Sequence, residues 1–181
     1  MKEARKQEIR SRGVALATGG LATALILILA LKVLGLTGVA YEQWLWAAAC
    51  TALVQGVLLV VAARGLDRWI PGDPHYLYTP LVGAMALLVL YMYVAPELRF
   101  LMLLGWFVAL LFMAGLGGFR AVVALSAAMA LGYFGVGAIL DRRGYPLSLV
   151  FEGSVAASVF VISIYAGFVF ERIRTERREM R

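Results

Sequence analysis

The chain is poor in the side chains on which most catalytic and metal centres are built. It carries one cysteine, Cys50, and one histidine, His75, in 181 residues. That count excludes an internal disulfide framework, a multi-cysteine zinc or iron–sulfur site, and a haem held by two histidines of one chain. Charge is scarce as well, at 15% of residues against about 25% in soluble domains. GxSxG, HExxH and the phosphate-cradling P-loop do not occur. No serine or cysteine has a plausible base beside it, and a proton relay would want more than one buried acid. The residues read as non-enzymatic, with no metal or cofactor.

What is present is apolar. Hydrophobic types make up 62% of the chain and its mean hydropathy is +0.85. Disordered chains are rich in charge and poor in such residues, so disorder is excluded. A chain with so little polar coat points to lipid as its solvent. A helix needs about 20 apolar residues to cross the hydrocarbon layer. Six stretches qualify, at roughly 14–36, 43–64, 79–95, 100–118, 119–140 and 147–170. Pro96 cannot continue a helix, and Glu97 and Arg99 resist burial, so residues 95–99 read as a tight hairpin tip. Gly115, Gly117 and Gly118 mark a second tight turn. The expected fold is all-α, a polytopic membrane protein of six transmembrane helices. The first apolar stretch exceeds the 7–15 residues of a signal-peptide core and is expected to stay attached.

An even number of spans places both termini on one side. Lys2, Arg5, Lys6, Arg10, Arg12, Arg64, Arg68, Arg120, Arg172, Arg174, Arg177, Arg178 and Arg181 fall there, against Arg99, Arg142 and Arg143 on the other. Cytoplasmic flanks carry the positive excess, so both termini are expected in the cytoplasm. The net charge of +6 is then topology plus attraction to anionic membrane lipid. A nucleic-acid partner would need a basic folded face with stacking aromatics, and the flanking arms offer none. Tyr41, Trp44, Trp46, Tyr91, Tyr93 and Tyr145 fall near the outer boundary, and Trp69, Tyr76 and Tyr78 near the inner one, as interfacial anchors would.

Helices in lipid pack through close backbone approach. Small residues recur at four-residue steps in the first span (Ala15, Gly19), the second (Ala48, Ala52, Gly56), the fifth (Ala124, Ala128, Gly132, with Gly135 and Gly137 beyond) and the sixth (Gly153, Ala157). These stripes argue for a compact bundle, and spacing leaves open whether one of them is instead a subunit interface. Within the spans the polar groups are Lys32, Gln55, Ser126, Glu152 and several small hydroxyls. Lys32 and Glu152 lie at similar depth below the outer edge, and three readings stay open for them. Lys32 snorkels to the interface, or the two form an ion pair, or they line an outward pocket with Tyr91 and Tyr93. Such a pocket would take a small hydrophobic or amphipathic ligand: a lipid, a quinone or a small acid. Gln55 reads as an interhelical hydrogen-bonding residue and Cys50 as a small packing residue. Asp73 and His75, in the proline-rich loop 71–80, are too few for a metal site.

The sixth span runs on without glycine or proline through Phe170-Glu171-Arg172-Ile173-Arg174-Thr175-Glu176-Arg177-Arg178-Glu179-Met180-Arg181. Ala166, Phe170, Ile173, Arg177 and Met180 alternate four and three apart, the spacing of a coiled-coil seam. The expected organisation is a basic arm over 1–13, a transmembrane bundle over 14–170 and the start of a signalling helix over 171–181. The pattern stops in mid-repeat, which fits a chain that continues. This layout and tail resemble the amino-terminal membrane sensor regions of bacterial nucleotide cyclases. The closest likeness is to those with a GGDEF diguanylate cyclase output; six-span class III adenylate cyclases are similar in layout. The resemblance implies a homodimer in the bacterial inner membrane. It also implies a ligand or membrane cue passed through Phe170, Ile173, Arg177 and Met180 to a cytoplasmic cyclase domain outside these residues. The alternatives are the substrate-binding subunit of a vitamin-type transporter, whose first helix docks a partner through spaced small residues such as Ala15, Gly19 and Ala24, and a structural or assembly factor without ligand; in either the tail would be a plain basic juxtamembrane flank.

Overall fold

A computed structural model describes residues 2–66, 78–116 and 119–179. All regular structure among them is helical: α1 (Lys2–Val33), α2 (Tyr41–Ala63), α3 (Tyr78–Val94), a single 3₁₀ turn (Pro96–Leu98), α4 (Arg99–Leu116), α5 (Phe119–Arg142) and α6 (Leu149–Glu179). The helices start and stop close to the expected places. Residues of the basic arm are helical, α1 running from Lys2 to Val33.

The breaks have local causes. Gly35, with φ +72°, closes α1: its N–H reaches the Lys32 carbonyl and the Leu36 N–H reaches back to Leu31. Gly144, with φ +81°, closes α5 the same way, the Tyr145 N–H bonding to the Leu140 carbonyl. Both are left-handed C-caps that a side chain would strain. At the start of α2 the Gln43 side-chain oxygen accepts from the Ala40 N–H at 3.0 Å. Residues 71–77 of the proline-rich loop, with Asp73 and His75, lie outside the described residues, as do Trp69 and Tyr76.

Three helices are long and apolar enough to cross a membrane: α2, α5 and Leu149–Ile173 of α6, with mean hydropathies of 2.1, 2.0 and 2.0. The apolar part of α1 (Ala17–Val33) and α3 are shorter. Large apolar side chains face outward along these elements, among them Trp46, Leu53, Leu131, Val150 and Tyr165. Water would penalise that surface by about 25 cal/mol per Å², whereas lipid does not.

The chain divides into two compact units, residues 1–98 and 99–181. In the first, α1, α2 and α3 each pack against the other two. Val14 of α1 is buried with Leu58 and Ala62 of α2. Gly83 of α3 lets α2 come close, its Cβ position lying 3.1 Å from Leu58 Cδ1 and 3.5 Å from Val54 Cγ1. In the second unit α5 and α6 form a long antiparallel seam, with Gly137 against Glu152 at one end and Gly167 against Val122 and Phe119 at the other. Helix α4 packs on both.

The small-residue stripes are packing faces only in part: Gly137 lies against Glu152 and the Cβ position of Gly153 lies 3.6 Å from the Phe134 ring, while most of the other small residues face elsewhere. In α2 the buried face is Ala47, Thr51, Gln55, Leu58 and Ala62, one register away from Ala48, Ala52 and Gly56. In α5 Ala124 is exposed, and Ala128 and Gly132 are half-buried. The buried line there is Val122, Ser126, Met129, Tyr133 and Gly137. On α6 the residues in the seam include Glu152, Ala156, Ser163 and Gly167, while Ala157 is exposed. Gly19 of α1 is exposed too. Two adjacent registers of small residues serve equally well by spacing, and only the large neighbours that must be shielded decide which turns inward.

Candidate functional site

Each unit carries buried polar side chains that need partners, since a buried polar group without a hydrogen bond costs about 1–3 kcal/mol. In the first unit they make short pairs. The Tyr91 hydroxyl, fully buried on α3, lies 2.6 Å from Thr51 Oγ1 on α2. Thr51 donates its own proton to the Ala47 carbonyl at 2.7 Å, so Tyr91 is the donor of the pair. One turn further along α2, Gln55 meets Thr18 of α1 at 2.9 Å. The Gln55 Nε2 group has no partner among the described residues as the amide is placed. With the amide turned over, Nε2 donates to Thr18 Oγ1 while Thr18 donates to Val14. Gln55 is thus the interhelical hydrogen-bonding residue its position suggested.

Lys32 finds its partners locally. Its ammonium donates to the Val39 carbonyl and sits 4.3 Å from the centre of the Tyr41 ring. The cation ties the last turn of α1 to the start of α2 through a cation–π contact. Trp44 supports the same corner by donating its indole N–H to the Leu25 carbonyl at 2.9 Å.

In the second unit the polar centre lies where α4 and α6 begin. Arg99, the first residue of α4, is 6% exposed, and Glu152, in the first turn of α6, is 2% exposed. Arg99 Nη2 donates to Glu152 Oε1 at 3.0 Å. A cation at a helix N-terminus opposes the helix dipole, and the Glu152 carboxylate offsets both that and the N-terminus of its own helix. The expectation that Arg99 resists burial is therefore corrected: a counter-charge 53 residues away makes its burial tolerable. Glu97, by contrast, stays exposed, near Thr37. Phe100 and Phe151 meet edge to face at 6.2 Å beside the pair. Gly137 of α5 backs Glu152, its Cβ position lying 3.5 Å from Glu152 Cγ. The Tyr133 hydroxyl, one turn earlier on α5, interacts electrostatically with Glu152 but makes no hydrogen bond of normal geometry.

Of the four residues read as a ligand pocket, Lys32, Tyr91 and Glu152 each have a hydrogen-bond partner outside that set, and Tyr93 is half-buried on α3. Arg99 is the residue that sequence reasoning missed. Its only signal was an arginine next to a predicted span boundary.

The tail is helical without interruption to Glu179, with Ala166 and Phe170 half-buried and Ile173 exposed. Arg172 and Glu176 pair across one turn at 3.2 Å on the exposed surface. The side chain of Arg177, and Met180 altogether, lie outside the described residues. Among the described residues no cluster of three or more metal-ligating side chains occurs. No protein-family model, curated protein or solved structure matches the chain.

Proposed function

We propose that the chain is the membrane sensor module of a dimeric bacterial signalling protein, six helices crossing the inner membrane with both termini in the cytoplasm. In this reading a ligand or membrane cue acts on the helices, and α6 relays the result to a cyclase output domain, a diguanylate cyclase, beyond these residues. The observation that carries it is the continuity of α6. One helix begins at the buried Arg99–Glu152 pair, provides a membrane-capable stretch over Leu149–Ile173, and continues as a charged helix to Glu179. A signal shifts an equilibrium only if it binds two arrangements unequally. A helix anchored by a charge pair at its start and carrying charged, exposed residues such as Arg172 and Glu176 further on is a means of reporting that difference.

The test is a series of single cysteines over residues 170–179, in a Cys50→Ala background, crosslinked by oxidation in native membranes. Disulfide dimers are expected at Phe170, Ile173 and Arg177, with weaker yields between. A flat profile, or no dimer, refutes the relay. The transporter reading has one feature in its favour, the exposed Gly19 on α1, where a Cβ would meet nothing from another element within 4 Å among the described residues. It gives the charged end of α6 no role.

A further inference from the structure

The Arg99–Glu152 pair is incompletely satisfied, and its unused atoms define a ligand. A buried ion pair is favourable only where the remaining protons and lone pairs are also taken up. Here one hydrogen bond joins the two side chains. Arg99 Nε and Nη1, Glu152 Oε2 and the Tyr133 hydroxyl make no hydrogen bond among the described residues, although all three side chains are more than nine-tenths buried. On the α5 side, a Cβ added at Gly137 would lie 3.5 Å from Glu152 Cγ and 4.0 Å from Oε2, in ordinary van der Waals contact with the Glu152 side chain. The Tyr133 hydroxyl interacts electrostatically with the same carboxylate and is the donor to set against its one open oxygen. That leaves the N–H groups of Arg99 Nε and Nη1, two donors on a planar guanidinium. What the site lacks is an acceptor oxygen.

Charge decides which acceptor. Arg99 and Glu152 already cancel. A bound anion would leave a net negative charge among apolar side chains, whereas a neutral carbonyl adds none. The half-exposed rings of Phe100 and Phe151, edge to face beside the pair, offer an apolar shoulder for the body of such a molecule.

We propose that Arg99, held by Glu152 and flanked by Tyr133, binds the neutral carbonyl oxygen of a lipid-soluble molecule, a quinone or an ester lipid. The site stands on the geometry of α4, α5 and α6, and only its link to signalling rests on the proposed function.

The probes are ubiquinone-1 for a quinone, dioctanoylglycerol for an ester, and decanoate at pH 8 for an anion. Each is titrated into the purified full chain in micelles, with binding read from tryptophan fluorescence and from the unfolding temperature. Saturable binding of ubiquinone-1 or dioctanoylglycerol is expected, and whichever binds identifies the source of the carbonyl. Arg99→Lys keeps a cation for Glu152 but loses the planar donors. Arg99→Met with Glu152→Leu removes the pair and keeps an apolar core. Both variants should bind at least about tenfold more weakly, the value of one charge-assisted hydrogen bond, while the double variant unfolds no earlier than the parent. Binding of neither neutral probe, undiminished binding by both variants, or binding of decanoate alone overturns the proposal. Binding without change in the crosslinks over 170–179 refutes the relay and leaves the site; no binding with those crosslinks intact refutes the site and leaves the relay.

Discussion

Breaking the Arg99–Glu152 pair from one side should cost far more than deleting it. Arg99→Met leaves the Glu152 carboxylate, whose side chain is 3% exposed, without its cation. Glu152→Leu leaves the guanidinium, 7% exposed, without its anion. Removing one partner of a buried pair costs about 3–5 kcal/mol, because the survivor keeps the whole desolvation penalty. The double change replaces both by apolar groups of similar length, and such replacements are commonly neutral or stabilising by about 1–4 kcal/mol. Added independently, the single changes would sum to about 6–10 kcal/mol, so nearly all of that should reappear as coupling in a double-mutant cycle. Screening does not soften the figure much, since neither group reaches solvent. The assay is reversible unfolding of the four proteins by SDS in mixed micelles, followed by far-UV circular dichroism. A double variant as unstable as the sum of the singles would refute the claim that the two charges compensate each other.

Gly167→Ala should destabilise by about 1–3 kcal/mol despite alanine's better helix propensity, as overpacking does. Its Cβ would lie 2.9 Å from Cγ1 of Val122, a β-branched side chain with little freedom to turn. The same unfolding assay should show Val122→Ala restoring most of the loss, and no rescue would mean the seam is not where we place it. Thr51→Val should cost about 1–3 kcal/mol by orphaning the buried Tyr91 hydroxyl, whereas Tyr91→Phe, which leaves Thr51 its bond to Ala47, should cost about 1 kcal/mol or less. The reverse order would contradict the donor assignment. For topology, Thr37→Cys and Tyr145→Cys in a Cys50→Ala background should react with an impermeant maleimide added to intact cells, and Leu66→Cys should not. Labelling of position 66 from outside would end the six-span reading.

Helices, breaks and membrane character were legible from the sequence because their causes are local. Gly35 and Gly144 cap where glycine is cheapest, Pro96 ends α3, and the apolar runs of α2, α5 and α6 are long enough to count. Inward faces were not legible. A helix meant for lipid is apolar on both sides, so polarity does not distinguish its buried face, and spacing alone favoured Ala48, Ala52 and Gly56 as readily as the buried line through Ala47, Thr51 and Gln55.

By itself, then, the amino-acid order determined what kind of chain this is: helical, apolar and turned at set places. Tertiary structure decided the partnerships. Lys32, set at the right depth to meet Glu152, went to Val39 and Tyr41 within reach of its own loop. Glu152 went to Arg99, which local rules had sent to the surface. Burying a charge is a long-range bargain. Whether it can be struck depends on which opposite charge the fold brings alongside, and no window of neighbouring residues contains that information.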